Sequence, residues 1–106
     1  MDLFVYGTLR RGYSAHNRLM REATFIGPAV AQGRRLGTSH FAPSDTWSLD
    51  GELYSLPFSS MQALDAYEGH PNLWIRREVS VRRIENGEPL TAPQPAWLYF
   101  PPSFAQ

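Results

Sequence analysis

Roughly five or six short β-prone runs, separated by Gly, Pro, Asn and Ser, share this 106-residue chain with only two helix-like stretches. Bending the sheet round on itself deals with its free edges and its apolar faces together. The expected fold is therefore α+β: a small mixed β-barrel or strongly curved sheet with two short flanking helices, an open sheet packed on the helices being the alternative. The length fits a single domain over residues 1–106, and 42% hydrophobic with 13% aromatic residues supplies its core.

The stretch Leu3 to Arg10 reads Leu-Phe-Val-Tyr-Gly-Thr-Leu-Arg. Phe4, Val5 and Tyr6 are β-prone and run into Gly7, which tolerates a positive φ and lets another group approach the backbone closely. A strand ending in a tight turn leaves the amides of Thr8, Leu9 and Arg10 without ladder partners, and consecutive free N–H groups suit a carboxylate or a polarised carbonyl oxygen. Gly7 as a simple chain reversal is the competing reading.

Beyond the turn, Ser14 is a suitable N-cap for a helix to about Ala23, with Ala15, Leu19 and Ala23 spaced by four. Residues 25–37 read as strand material broken at Gly27-Pro28 and Gly33, and residues 37–50 as a polar loop of the kind that walls a site. Leu49 to Leu56 alternates as a strand. A capping-box spacing between Ser59 and Gln62 opens a helix from Ser60 to Glu68, which Gly69 and His70-Pro71 terminate. Leu73 to Ile84 alternates again, Asn86-Gly87 signals a hairpin, and Ala96 to Phe100 is the last strand.

Ten basic and ten acidic residues cancel, so no net field draws the chain to nucleic acid or an anionic membrane. The Arg pairs at 34–35, 76–77 and 82–83 read as solvated surface rather than RNA contacts. Every basic residue is Arg, which removes lysine nucleophiles, and the absence of Cys removes thiol catalysis and thiolate metal sites. His16, His40 and His70 lack nearby carboxylates at ligand spacing, so metal binding is not expected. No serine lies in a Gly-x-Ser-x-Gly context. The start Met-Asp-Leu-Phe lacks the basic region of a signal peptide and no apolar run is long enough to span a bilayer, so the expected location is the cytoplasm.

Met61, Leu64 and Glu68 share one face of the second helix. If Met61 and Leu64 face the core, Glu68 is drawn inward at the C-terminal end of the helix. Desolvation and the dipole's negative end then both raise its pKa toward the range a proton shuttle needs. Asp65 either raises it further or stays solvated. The alternative is that Glu68 turns outward and pairs with Arg76 or Arg77.

Val5-Tyr6-Gly7-Thr8-Leu9-Arg10, Gly51-Glu52-Leu53-Tyr54, and Leu64-Asp65-Ala66-Tyr67-Glu68-Gly69 followed by Trp74-Ile75-Arg76 resemble, in this order, the gamma-glutamylcyclotransferase-like superfamily, especially its small members that act on gamma-glutamylamines. The resemblance implies a small β-barrel and a cofactor-free enzyme that cyclises the glutamyl part of a gamma-glutamyl substrate to 5-oxoproline. It also implies substrate binding by Tyr6, Gly7, Thr8 and Leu9 and acid/base catalysis by Glu68. Trp74 stands where the family usually has Tyr, and residues 40–43 match its Tyr-Pro loop only loosely. Both differences bear on the leaving group. Trp74 and Arg76 are the further expected contacts, Arg76 through a substrate carboxylate or by orienting Glu68. A non-catalytic binding module on the same fold is the rival reading.

Overall fold

The computed structural model describes residues 1–7, 9–38 and 40–100. Closure is its organising feature. Strand β1 (Asp2–Val5) lies between β5 (Leu49–Ser55) and β8 (Gln94–Phe100), β5 pairs with β2 (Thr24–Ala31), and β8 pairs with β6 (Ile75–Glu85). The ring is completed where Ala29 to Ala31 of β2 pair with Arg83 to Val81 of β6. All these pairings are antiparallel except β1 with β8, which run parallel with Leu3 opposite Trp97. The result is the expected closed mixed barrel. A hairpin of β3 (Arg34–Leu36) and β4 (His40–Ala42) stands beside it, and β7 (Glu88–Pro89) folds back on β6 through the Asn86-Gly87 turn.

Strand alternation divides the core into two layers. Phe4, Tyr6, Leu49, Leu53, Val81 and Leu98 pack in one, while Leu3, Val5, Tyr54, Leu56 and Tyr99 pack with Met61 and Leu64 of α2 (Phe58–Glu68) in the other. β1 is therefore buried on both faces, which its unbroken Leu-Phe-Val run permits. The short helix α1 (Ser14–Leu19) adds Ala15 to the second layer.

Several boundaries differ from the sequence expectation. α1 stops at Leu19 because the chain turns at Met20, whose N–H donates to His16 O at 2.9 Å, and Ala23 lies beyond the helix. Its N-cap is Tyr13, with Ser14 already inside. α2 begins at Phe58 behind Pro57 with no side-chain cap, so no Ser59–Gln62 capping box forms. The sixth strand starts at Ile75 rather than Leu73, since residues 69–74 are spent on the helix exit. The expected loop 37–50 contains β4, paired to β3 by Arg35 opposite Phe41.

Gly51 is the residue that lets the ring close over β1. A Cβ built there would lie 2.5 Å from both Phe4 Cζ and Val5 O, so the Phe4 ring fills the space that a side chain would need. Because one partner is backbone, relief requires moving β1. Gly51→Ala is expected to destabilise the fold by about 1–3 kcal/mol, the usual cost of overpacking, seen as a lower urea midpoint. An unchanged midpoint would show that β1 gives way freely.

Candidate active site

β1 and β8 leave a cavity of about 400 Å³ at the end where β1 runs into the Gly7 turn. Phe4, Val5, Tyr6, Gly7 and Leu9 line it from β1 and the bend, Tyr67 and Glu68 from the last turn of α2, Trp74 from the segment before β6, and Tyr99 from β8. This volume suits a small molecule.

Two devices place Glu68. Met61 and Leu64, on its face of α2, are fully buried and pin the helix. Gly69 then ends it in the left-handed conformation at φ 71°, with its N–H donating to Ala66 O and that of His70 to Asp65 O. An added Cβ at Gly69 would lie 2.8 Å from Leu73. The peptide oxygen of Glu68 also accepts the Trp74 N–H at 3.3 Å, which ties the helix end to the segment that carries the Trp74 wall.

Of the two placements open to Glu68, the inward one is found. Among the described lining residues it is the one carboxylate, and burial pushes its pKa from 4.5 to about 7. Burial and the nearby Glu68 charge raise the Tyr6 phenol, and burial with the Asp65 hydrogen bond raises that of Tyr99, so both hydroxyls stay protonated. Neither proton is free to be donated to a ligand. Tyr6 donates to Tyr99 O at 2.8 Å and Tyr99 donates to Asp65 Oδ1 at 2.6 Å. Tyr6 thus contributes its ring and backbone to the wall.

The expected Arg76 contact takes a different form. Its guanidinium grips Asp65 in a fork, Nε to Oδ1 at 2.8 Å and Nη2 to Oδ2 at 3.0 Å, and lies 4.4 Å over the Trp97 ring. It is not among the residues that line the cavity. Burial works to raise the Asp65 carboxyl, but the Arg76 and Tyr99 hydrogen bonds outweigh it and hold Asp65 below the ordinary range. Asp65 therefore stays ionised and paired, while Glu68 carries the variable charge. Arg76 orients the helix through Asp65, with no direct contact to Glu68.

The bend also differs in detail. Gly7 and Leu9 line the cavity, but the Arg10 amide is consumed by the turn, donating to Gly7 O at 3.1 Å, and Arg10 Nε donates to the same oxygen at 3.0 Å. Thr8 lies outside the described residues. His16 Nδ1 holds Leu9 O at 2.8 Å and so ties α1 to the bend. Trp74 forms a wall with the His40 ring of β4 behind it, the ring centroids 5.7 Å apart.

Phe4, Val5, Tyr67 and Tyr99 were not foreseen as lining residues. Tyr67 adjoins Glu68 in sequence, and Tyr99 shares its parity in β8 with Trp97, but neither signal says which strands flank the opening. No group of three or more His, Cys, Asp or Glu among the described residues could hold a metal ion, and no helix there is long and apolar enough to cross a membrane.

A small closed barrel whose cavity holds one carboxyl poised near neutrality beside a backbone bend defines a small-molecule site able to move protons. Residues 3–106 match the family described as gamma-glutamyl cyclotransferase, AIG2-like, and the chain belongs to that family. Gamma-glutamylaminecyclotransferase of Homo sapiens is 30% identical over 131 residues, covering 98% of this chain and 83% of its own. The Rattus norvegicus protein of that name is 29% identical over 125 residues, covering 93% and 84%. The crystal structure of an AIG2-like protein from Mus musculus superposes with a TM-score of 0.69 at 23% identity, over 98% of this chain and 78% of that one. The family is thus one of gamma-glutamyl cyclotransferase-like enzymes.

The raised Glu68 pKa has a consequence for stability. The folded carboxyl holds its proton up to about pH 7, whereas the unfolded one releases it near 4.5. The contribution of this group to stability is therefore fully present below 4.5 and is lost as pH rises through 7. Glu68→Gln removes this cost and is expected to be more stable than the parent at pH 8 by about 1 kcal/mol, allowing for solvent screening of a half-buried group. The difference should vanish at pH 4. Equal stabilities at both pH values would mean that Glu68 is solvated.

Proposed function

We propose that this chain cyclises the glutamyl part of gamma-glutamylamines or gamma-glutamyl peptides to 5-oxoproline, with release of the amine. The observation that carries this reading is the presence, in one cavity, of the Glu68 carboxyl near neutral pKa and the Tyr6 to Leu9 bend.

The substrate supplies its own nucleophile, so the protein has to fold it, move protons and stabilise charge. The backbone of the bend holds the glutamyl end and polarises the δ-carbonyl. Ionised Glu68 takes a proton from the α-ammonium, and the freed amine attacks the δ-carbon to form the ring C–N bond. The tetrahedral oxygen, now anionic, is held by peptide N–H donors. The ring nitrogen gives up its second proton as the bond to the leaving nitrogen breaks. Both protons, relayed through Glu68, end on the departing amine, so atoms and charge balance without an external reactant. No step calls for a metal or cofactor, and the partner is a small gamma-glutamyl molecule.

Glu68→Gln should lower 5-oxoproline release by at least about 100-fold, within the range typical of a lost general acid/base, while the variant remains folded. Turnover at the parental rate would remove Glu68 from the chemistry. In the parent, kcat/KM should rise with pH through about 7 as Glu68 ionises, falling about tenfold per unit below it. A panel of gamma-glutamylamines and gamma-glutamyl dipeptides followed by mass spectrometry reads both. A folded parent silent across the whole panel would favour a binding module.

A further inference from the structure

Arg35 of β3 is half-buried beside the cavity, and among the described residues its hydrogen-bond partners are all peptide carbonyls. Nη1 donates to Tyr6 O at 2.5 Å and to Thr38 O at 3.4 Å, and Nη2 donates to Asp50 O. Burying a guanidinium against carbonyl dipoles alone is unfavourable, and burial with the neighbouring Arg10 charge indeed depresses its pKa. The sequence had placed Arg34-Arg35 on a solvated surface. Phe41, opposite Arg35 in the hairpin, meets the Tyr6 ring edge-on at 5.2 Å, so the hairpin grips Tyr6 by both ring and carbonyl.

The Tyr6 carbonyl and the Gly7 N–H belong to one peptide unit. The only cis bond among the described residues is His70-Pro71, so this unit is trans and its C=O and N–H point in opposite directions. Arg35 holds the carbonyl from outside the cavity, since it is not among the lining residues, whereas Tyr6 and Gly7 both are. The Gly7 N–H therefore points away from the carbonyl that Arg35 holds, and Gly7 itself lines the cavity. A charge-assisted bond on the carbonyl oxygen draws electron density through the amide and makes the N–H on the other side a stronger donor.

We propose that Arg35 is a positioning residue for the reaction, polarising and fixing the Tyr6–Gly7 peptide so that the Gly7 N–H stabilises the negative oxygen that develops on the substrate carbonyl. This rests on the cyclotransferase reading above. Arg35 does not touch the substrate. Its contribution grows with the charge on that oxygen, so it acts on the transition state more than on the bound substrate.

The test pairs kinetics with an activity-independent signal. Arg35→Met keeps the stem and removes the donors, while Arg35→Lys keeps the charge but cannot bridge Tyr6 O and Asp50 O as a fork. For Arg35→Met, kcat is expected to fall about tenfold or more, toward the loss seen when one oxyanion donor is removed, with KM within twofold. Arg35→Lys should recover part of that loss. The Gly7 ¹⁵N resonance, which responds to hydrogen bonding at the preceding carbonyl, should move upfield in Arg35→Met and partly return in Arg35→Lys. A folded Arg35→Met with parental kcat, or with a raised KM and parental kcat, overturns the proposal. If that variant does not fold, the same criteria apply to Arg35→Lys. An inactive parent sinks the cyclotransferase reading, whereas an active parent, an inactive Glu68→Gln and an unaffected Arg35→Met sink this proposal alone. An unmoved Gly7 resonance overturns the polarisation in either case.

Discussion

The structure depends on a single strand being buried on both faces. β1 contributes Phe4 to one core layer, joined by Tyr6 just past its end, and Leu3 and Val5 to the other, and it is the strand that pairs parallel with β8. A strand so enclosed has little freedom, and the bend that follows it inherits that rigidity. Each neighbour of the bend adds a tether: Arg10 on Gly7 O, His16 on Leu9 O and Arg35 on Tyr6 O. Backbone is the material least able to reposition itself for a ligand, and here it is fixed before any ligand arrives.

Against this fixed floor the fold sets a charge that can change. The carboxylates near the cavity have been given opposite roles by their surroundings. Asp65 is locked ionised by Arg76 and Tyr99, whereas Glu68, desolvated and without an ion pair among the described residues, is left half-protonated at about pH 7. Three residues of sequence separate them. The difference comes from which side of α2 each projects from, one toward β8 and Arg76, the other into the opening.

Much of this was legible in the residues. The 2-residue alternation of Leu49 to Leu56 predicted which side chains fall in each layer, and Leu49 and Leu53 indeed pack apart from Tyr54 and Leu56. The apolar face of α2 and the Gly69 stop foretold an inward Glu68. The helix starts did not follow local rules, because Pro57 and tertiary packing set them where capping side chains did not. Arg35 was the least legible: it looks like a surface charge in sequence, and its partner, a carbonyl 29 residues away, exists only once the barrel closes. Arg76 was expected at the site, but its partner there, the Asp65 carboxylate 11 residues away, was not.

The bond from Trp74 N–H to Glu68 O joins two parts of the cavity that differ in character, one an aromatic wall and the other the helix terminus bearing the acid. Replacing the wall to admit a bulkier or more polar ligand strains the same backbone that aims the carboxyl. The shape of the cavity and the aim of its acid are thus mechanically geared to one another through a single peptide hydrogen bond.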